Sequence, residues 1–171
     1  MMSVVHGIER IVEAVGWVAR WCVLLLVLLV AFNVLGRNFL GFSSVAFQEF
    51  EWHLLSPIAL IGMAYTLKHR ADVRVDFLYE KFRPRVRAGI DLFSAIATCA
   101  VGGFIAWVAF PYVMQSYRIG EGSPDPGGLS YRYLLKSLLV IGFGLFALQG
   151  VADTLRALCA LAAKDGGEQT P

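Results

Sequence analysis

The chain alternates between long stretches without Asp, Glu, Lys or Arg and short segments that hold most of its charges. The four longest charge-free windows are residues 21–36, 52–67, 92–117 and 137–152. In three of them the bounding charges are 17 residues apart, which is ~26 Å of helix and matches a bilayer core whose flanking charges reach the interface. The pattern predicts an all-α membrane protein with four transmembrane helices at about residues 14–36, 47–67, 88–113 and 131–155.

The connection between the second and third predicted helices has a different pattern. Apolar residues recur at helical spacing in residues 73–83, ending with Phe82, while Arg74 and Asp76 lie on the opposite side. This predicts a short amphipathic helix in the plane of the lipid headgroups. Two interpretations stay open for it: a basic connector held by anionic lipid, or an arm that braces a partner protein.

Lys and Arg are unevenly divided between the two sides of the predicted bundle. With four spans, one side holds both termini and the connection between the second and third helices, and it carries eleven basic residues against four on the other. Because cytoplasmic segments are enriched in Lys and Arg, we expect both termini to be cytoplasmic. The polar residues 161–171 then form a disordered cytoplasmic tail.

The composition agrees with a membrane protein and excludes several other classes. Of 171 residues, 57% are hydrophobic and only 16% are charged, whereas a soluble domain carries ~25% charged residues. A net charge of +2 and three cysteines fit neither a nucleic-acid binder nor a disulfide scaffold. The sequence has no phosphate-binding loop, no hydrolase elbow and no paired histidines within spans. We therefore expect no enzyme activity, no cofactor, no metal site and no nucleic-acid partner.

The predicted spans lack what an autonomous transporter needs. No charged residue lies near the centre of any span, and an ion or substrate pathway needs a titratable or oxygen-rich site there. Small residues do recur along the third helix, where they allow close helix packing. They are Ala95, Cys99 and Gly103 on one face, and Thr98, Gly102 and Ala106 on a neighbouring one.

The richest cluster of ionisable residues lies at the start of the second helix. Glu49 and His53 share one face of the helix, and Glu51 lies on another, because two residues turn a helix by about 200°. Basic residues at the ends of the first and fourth helices lie on the same side of the membrane. Interhelical ion pairing is the favoured interpretation; contact with a partner protein or membrane component, and a substrate site, are alternatives. The candidates are Arg37, Glu49, Glu51, His53, Arg132 and Lys136.

One stretch, QEFEWHLLSPIALIGMAYTLKHRADVRVDFLYEKF at 48–82, resembles the small membrane subunit of tripartite ATP-independent periplasmic (TRAP) transporters, the DctQ-like family. The features that carry the resemblance are the acidic cluster at Glu49 and Glu51, the Gly62, Ala64 and Tyr65 stretch, the bases Lys68 and Arg70, and V-R-V-D at 73–76. Arg37 and the block GEGSPDPGGLSYRYLLKSLLVIGFGLFALQG also match, so the resemblance covers about residues 15–158. Asp72 stands where the family commonly has His.

The resemblance implies a specific role in the bacterial inner membrane. Such subunits pair with a large multispan permease that holds the substrate and ion sites, while a periplasmic solute-binding protein delivers an organic acid. The small subunit then acts as a scaffold without a substrate site of its own, in contact with membrane lipid. The alternatives are an autonomous four-helix exporter and an accessory subunit of another membrane complex.

Overall fold

The computed structural model describes residues 2–41, 44–71 and 82–165, and in these ranges the chain folds into four long α-helices without a strand. The helices are α1 (Met2–Leu40), α2 (Val45–Lys68), α3 (Pro84–Arg118) and α4 (Arg132–Asp165). The predicted all-α class is confirmed, and α1, α3 and α4 are each long and apolar enough to cross a membrane.

Helix α2 is not among the helices that are apolar enough to cross by composition alone. Its first half contains Gln48, Glu49, Glu51 and His53, so its apolar residues are concentrated in its second half. Leu54, Pro57, Ile61 and Ala64 form its buried stripe, and their helical spacing puts them on one face against the rest of the bundle.

Two of the predicted segments fall partly outside the described ranges. The predicted interfacial helix, with Arg74 and Asp76, lies there except for its last residues. Phe82 is described: it lies in a bend before α3, where its carbonyl accepts a hydrogen bond from Nε of Arg87 at 3.1 Å. Helix α4 continues to Asp165 and so includes the start of the predicted tail 161–171, of which residues 166–171 are not described.

Helix α4 is the centre of the bundle. It packs against α3, α2 and α1, while α1 packs mainly on α2. Small residues bring the helix backbones together: a Cβ on Gly150 would lie 2.7 Å from the backbone N of Cys99, and one on Gly102 would lie 3.0 Å from that of Ala147. On the α2 side, a Cβ on Gly142 would lie 2.6 Å from the Cβ of Leu60. Without a hydrophobic force between helices in lipid, such close packing is what holds them together.

Two helices leave wide apolar surfaces uncovered. Helix α1 contacts its neighbours along one stripe, and its remaining faces expose residues such as Leu25 and Leu28. Helix α3 exposes large side chains such as Phe93, Phe104 and Trp107. In a soluble protein these surfaces would cause aggregation, so they are suited to lipid tails or to another membrane protein.

Candidate functional site

All the candidate residues of the bundle itself lie at one end, which we call the loop end. Here α1 leads into α2, and residues 119–131 connect α3 to α4. Arg37 belongs to the last turns of α1, Glu49 and Glu51 to the first turns of α2, and Arg132 and Lys136 to the first turns of α4. The structure divides them into two groups, because Glu49 and Glu51 point in different directions.

The carboxylate of Glu49 binds the loop between α3 and α4. The Ser123 hydroxyl donates a hydrogen bond to Oε1, and the backbone N–H of Leu129 donates one to Oε2 at 2.5 Å. We call this arrangement the Glu49 clasp. Gly128 lies against it, because a Cβ there would be 2.8 Å from Oε2 of Glu49. Both carboxylate oxygens are therefore used to hold one loop to α2.

The clasped loop is an ordered turn with its own hydrogen bonds. The N–H of Ser123 donates to the carbonyl of Leu129 at 3.0 Å, and the N–H of Arg132 donates to the carbonyl of Glu121 at 3.0 Å. Gly127 supplies a positive φ of 81°, and Tyr131 also takes a positive φ, 69°. The Pro- and Gly-rich sequence at this point forms a closed turn rather than a loose connection.

An ion pair closes the base of the same loop. Nζ of Lys136 donates to a carboxylate oxygen of Glu121, and it also lies 4.0 Å from the centre of the Tyr112 ring. The Lys136 ammonium, by its hydrogen bond, holds the pKa of the Glu121 carboxyl below its usual value. Arg132 lies close enough to Glu49 and Glu121 for electrostatic attraction. Lys136 thus pairs with neither Glu49 nor Glu51.

Glu121 is a functional residue of this site that the sequence alone does not single out. It lies outside every predicted span, in a loop recognised only by its Pro and Gly content. The available signal is its position: a carboxylate three residues after α3, facing the first turns of α4 across a short connection. That position predicts a pair with Lys136 once the loop is known to fold back.

Glu51 and Arg37 belong to a separate feature, an open pocket between the ends of α1 and α2. The pocket has a volume of about 300 Å³. Its lining residues, which define the Arg37–Glu51 pocket, are Val30, Asn33, Val34, Arg37, Gln48, Glu51 and Trp52. Nδ2 of Asn33 donates to Oε1 of Glu51 at 3.0 Å, while no ion pair joins Glu51 to Arg37 in the described part of the chain. The Arg37 guanidinium and the Glu51 carboxylate thus lie in one pocket without forming an ion pair with each other.

His53 is bound to its own helix. Its Nδ1–H donates to the backbone carbonyl of Glu49 at 2.8 Å, one turn earlier. Within the described ranges, no three His, Cys, Asp or Glu side chains are grouped closely enough to hold a metal ion. The three cysteines, Cys22, Cys99 and Cys159, are unpaired and lie on three different helices. The hydrogen bond holds the His53 side chain against the first turns of α2, next to Glu49.

A second ionic layer lies at the opposite end of the bundle, the terminal end. Glu13 pairs with Lys68 and, at 2.9 Å, with Arg20, and it accepts a hydrogen bond from Nε2 of His69 at 3.2 Å, so α1 is joined to the end of α2. Glu9 and Asp153 pair with Arg156, which joins α1 to α4. These pairs are separated from the loop end by the apolar middle of the bundle, so charge is concentrated in two layers.

Polar side chains between the two layers bond mainly within their own helices. The hydroxyl of Ser56 donates to the carbonyl of Trp52 at 2.9 Å, and that of Thr66 donates to the carbonyl of Gly62 at 2.6 Å. Gln149 is fully buried and donates to the Asp153 carboxylate four residues later. In the part of the chain that the structure describes, these groups do not converge on a common site at mid-depth.

The comparison with known families fits this architecture. Residues 26–160 match the family described as tripartite ATP-independent periplasmic transporters, DctQ component. The chain therefore belongs to the DctQ family, and the resemblance drawn from the sequence is confirmed. Among curated proteins, none matches the chain. As a DctQ component with three strongly apolar helices, it is a membrane subunit of TRAP-type transport in the bacterial inner membrane.

Proposed function

We propose that this chain is the scaffold subunit of its transporter and that it moves no substrate itself. The observation that carries the proposal is the separation of charge into two layers at the ends of the bundle. Between them, Ser56 and Thr66 bond to their own helix, and the described polar residues do not converge on one site. Transport sites lie near the membrane midplane and need polar groups that converge there. The same observation counts against an autonomous four-helix exporter or an accessory subunit with catalytic or redox chemistry.

In this proposal α2 is a fourth transmembrane helix despite its polar first half. Its contacts extend from Glu51 with Asn33 at the loop end to Lys68 with Glu13 at the terminal end. With 24 residues it is ~36 Å long, which exceeds the bilayer core. Its polar residues lie at the interface, where headgroups and the Glu49 clasp satisfy them.

The loop end faces the periplasm in the proposed orientation, and both termini are cytoplasmic. The basic residues near the terminal end and in the connection after α2 support this choice, because such residues are retained on the cytoplasmic side. The interfacial helix predicted at residues 73–83, with Arg74 and Asp76, would then lie on the cytoplasmic surface and end before Phe82, which lies in a bend. The clasped loop faces the compartment from which a solute-binding protein delivers its cargo.

The partners of the chain follow from its family and its surface. The exposed apolar faces of α1 and α3 are suited to a large permease subunit and to lipid. A periplasmic binding protein supplies the solute, an organic acid, and an ion gradient drives its uptake through the large subunit. Among the candidate interface residues, Glu49, His53, Arg132 and Lys136 stabilise the periplasmic end of the scaffold. Arg37 and Glu51 are available there to a binding partner.

Reconstitution of the separate subunits tests this proposal. The solute is first identified by thermal shift of the cognate binding protein against a panel of organic acids. Liposomes then receive this chain alone, the large subunit alone, or both, with the binding protein outside and an imposed sodium gradient. We expect uptake only when both membrane subunits are present. Uptake by this chain alone, or full uptake by the large subunit alone, contradicts the scaffold role.

A further inference from the structure

The Arg37–Glu51 pocket has the charge pattern of a zwitterionic ligand. It contains one guanidinium and one carboxylate, with no ion pair between them among the described residues. Asn33 occupies only Oε1 of Glu51, which fixes the carboxylate and leaves Oε2 to accept from a ligand. A ligand that is positive at one point and negative at another satisfies both groups.

The position of the pocket selects the class of ligand. Arg37 directly follows the charge-free window of α1, so it lies at headgroup depth. Val34 and Val30 lie one and two turns deeper on the same face, and both line the pocket. Trp52, 67% exposed, forms the opposite wall at the depth where tryptophan is enriched in membrane proteins. The pocket therefore combines a polar mouth with an apolar floor.

The geometry points to a binding site for a phospholipid whose headgroup carries both a phosphate and a primary ammonium, as in phosphatidylethanolamine. The phosphate pairs with Arg37, whose guanidinium suits phosphate oxygens. The ammonium donates to Oε2 of Glu51, and one acyl chain lies along Val30 and Val34. An anionic lipid without an amine leaves Glu51 unpaired beside a second negative charge. A choline headgroup has no N–H to donate.

Lipid binding to the purified full-length chain tests the inference. Native mass spectrometry in detergent compares dioleoyl phosphatidylethanolamine, phosphatidylglycerol and phosphatidylcholine at matched concentrations. A charge-assisted hydrogen bond contributes ~1.5–3 kcal/mol, so we expect phosphatidylethanolamine to bind at least about tenfold more tightly than either of the others. Equal or tighter binding of phosphatidylglycerol overturns the inference, and so does the absence of any bound phosphatidylethanolamine.

Matched variants assign the two contacts. Glu51→Gln should remove the preference for phosphatidylethanolamine over phosphatidylcholine, and Arg37→Gln should weaken all three lipids about tenfold. Arg118 is an exposed arginine at the end of α3 that lies at the loop end of the bundle. Arg118→Gln is therefore the control and should bind like the parent. The inference fails if Arg118→Gln has the same effect as Arg37→Gln, or if Glu51→Gln keeps the headgroup preference. Displacement of the lipid by the added large subunit would show a protein partner in the pocket and would also overturn it.

Discussion

The two helical hairpins of this chain end differently at the same surface. The loop of the α3–α4 hairpin is bound to α2 by the Glu49 clasp and closed at its base by the ion pair between Glu121 and Lys136, so both of these glutamates are used within the subunit. The α1–α2 hairpin has an open pocket in which Glu51 and Arg37 remain unpaired with each other. Two carboxylates only two residues apart on α2 thus have opposite surroundings.

Glu49 and Glu121 hold the subunit together, whereas Glu51 and Arg37 are available to a ligand or to another subunit. A carboxylate whose two oxygens accept intramolecular hydrogen bonds has little capacity left for a partner. A carboxylate in an open pocket, beside a guanidinium with which it forms no ion pair among the described residues, has that capacity. We therefore expect changes on the closed side to affect stability, and changes on the open side to affect binding of lipid or of another subunit.

The largest effect is expected where α3 meets α4 beneath the closed side. Gly150→Leu inserts a side chain where a Cβ already lies 2.7 Å from the backbone N of Cys99, and overpacking costs ~1–3 kcal/mol or more. We expect loss of monodisperse protein in size-exclusion chromatography. Gly144→Leu is the control on the same helix, because no atom lies within 4 Å of its added Cβ. Equal behaviour of the two variants would show that the helices do not approach as described.

A smaller effect is expected in the loop itself. In Gly128→Ala the new Cβ meets Cβ of Ser123 at 2.5 Å and Oε2 of Glu49 at 2.8 Å, so the clasp must open slightly. We expect a thermal midpoint lower by several degrees. Gly122→Ala, with nothing within 4 Å of its Cβ, should melt like the parent chain. A Gly128→Ala midpoint equal to that of Gly122→Ala contradicts the clasp.

The ion pair at the base of the loop makes stability depend on pH. The pKa of Glu121 is lowered by Lys136, so the pair contributes fully above the ordinary carboxyl pKa of about 4.3 and is lost as pH falls through the lowered pKa. The midpoint difference between the parent and Glu121→Gln should be constant from about pH 7 to 5 and shrink below about pH 4. Asp125→Asn is the control in the same loop. A difference that grows on acidification is incompatible with this pair.

The smallest effect is expected on the uncovered face of α1. Leu25 is 49% exposed, so Leu25→Ala should change the stability of the purified chain by no more than about 0.5 kcal/mol. Leu54→Ala is the buried comparison on α2, at 7% exposure, and should lower the thermal midpoint clearly more than Leu25→Ala does, because it leaves a cavity. Thermal melts in one detergent provide the test. A large loss for Leu25→Ala would mean that this face packs within the subunit.

Helix positions follow from the sequence because they depend on local composition. Charge-free windows predict all four helices, and the Pro- and Gly-rich segment after α3 predicts the turn that the structure shows at 119–131. The small residues of α3 predict close packing, and Ala95, Cys99 and Gly102 do face α4, whereas Gly103, which the spacing groups with Ala95 and Cys99, has nothing within 4 Å of an added Cβ. These signals depend on spacing within a single segment.

The partners of the individual charges do not follow from the sequence. Lys136 could face Glu49, Glu51 or Glu121, and the choice depends on how α2 and α4 are rotated and on the fold of the loop. Tyr131 takes a φ of 69°, and this turn brings α4 back towards Glu121. A positive φ is uncommon for a tyrosine, so the sequence does not predict it. Pairing of distant charges is a property of tertiary structure.

Hydrogen exchange of the 119–131 loop in two isosteric variants tests most directly whether the two carboxylates have separate roles. In Glu49→Gln, the amide keeps only one oxygen acceptor for the Ser123 hydroxyl and the Leu129 N–H, so we predict much faster exchange at Leu129 and a lower thermal midpoint. In Glu51→Gln, we predict loop exchange and a midpoint equal to those of the parent. Equal exchange in both variants, or faster exchange in Glu51→Gln, would contradict the division between a closed and an open side.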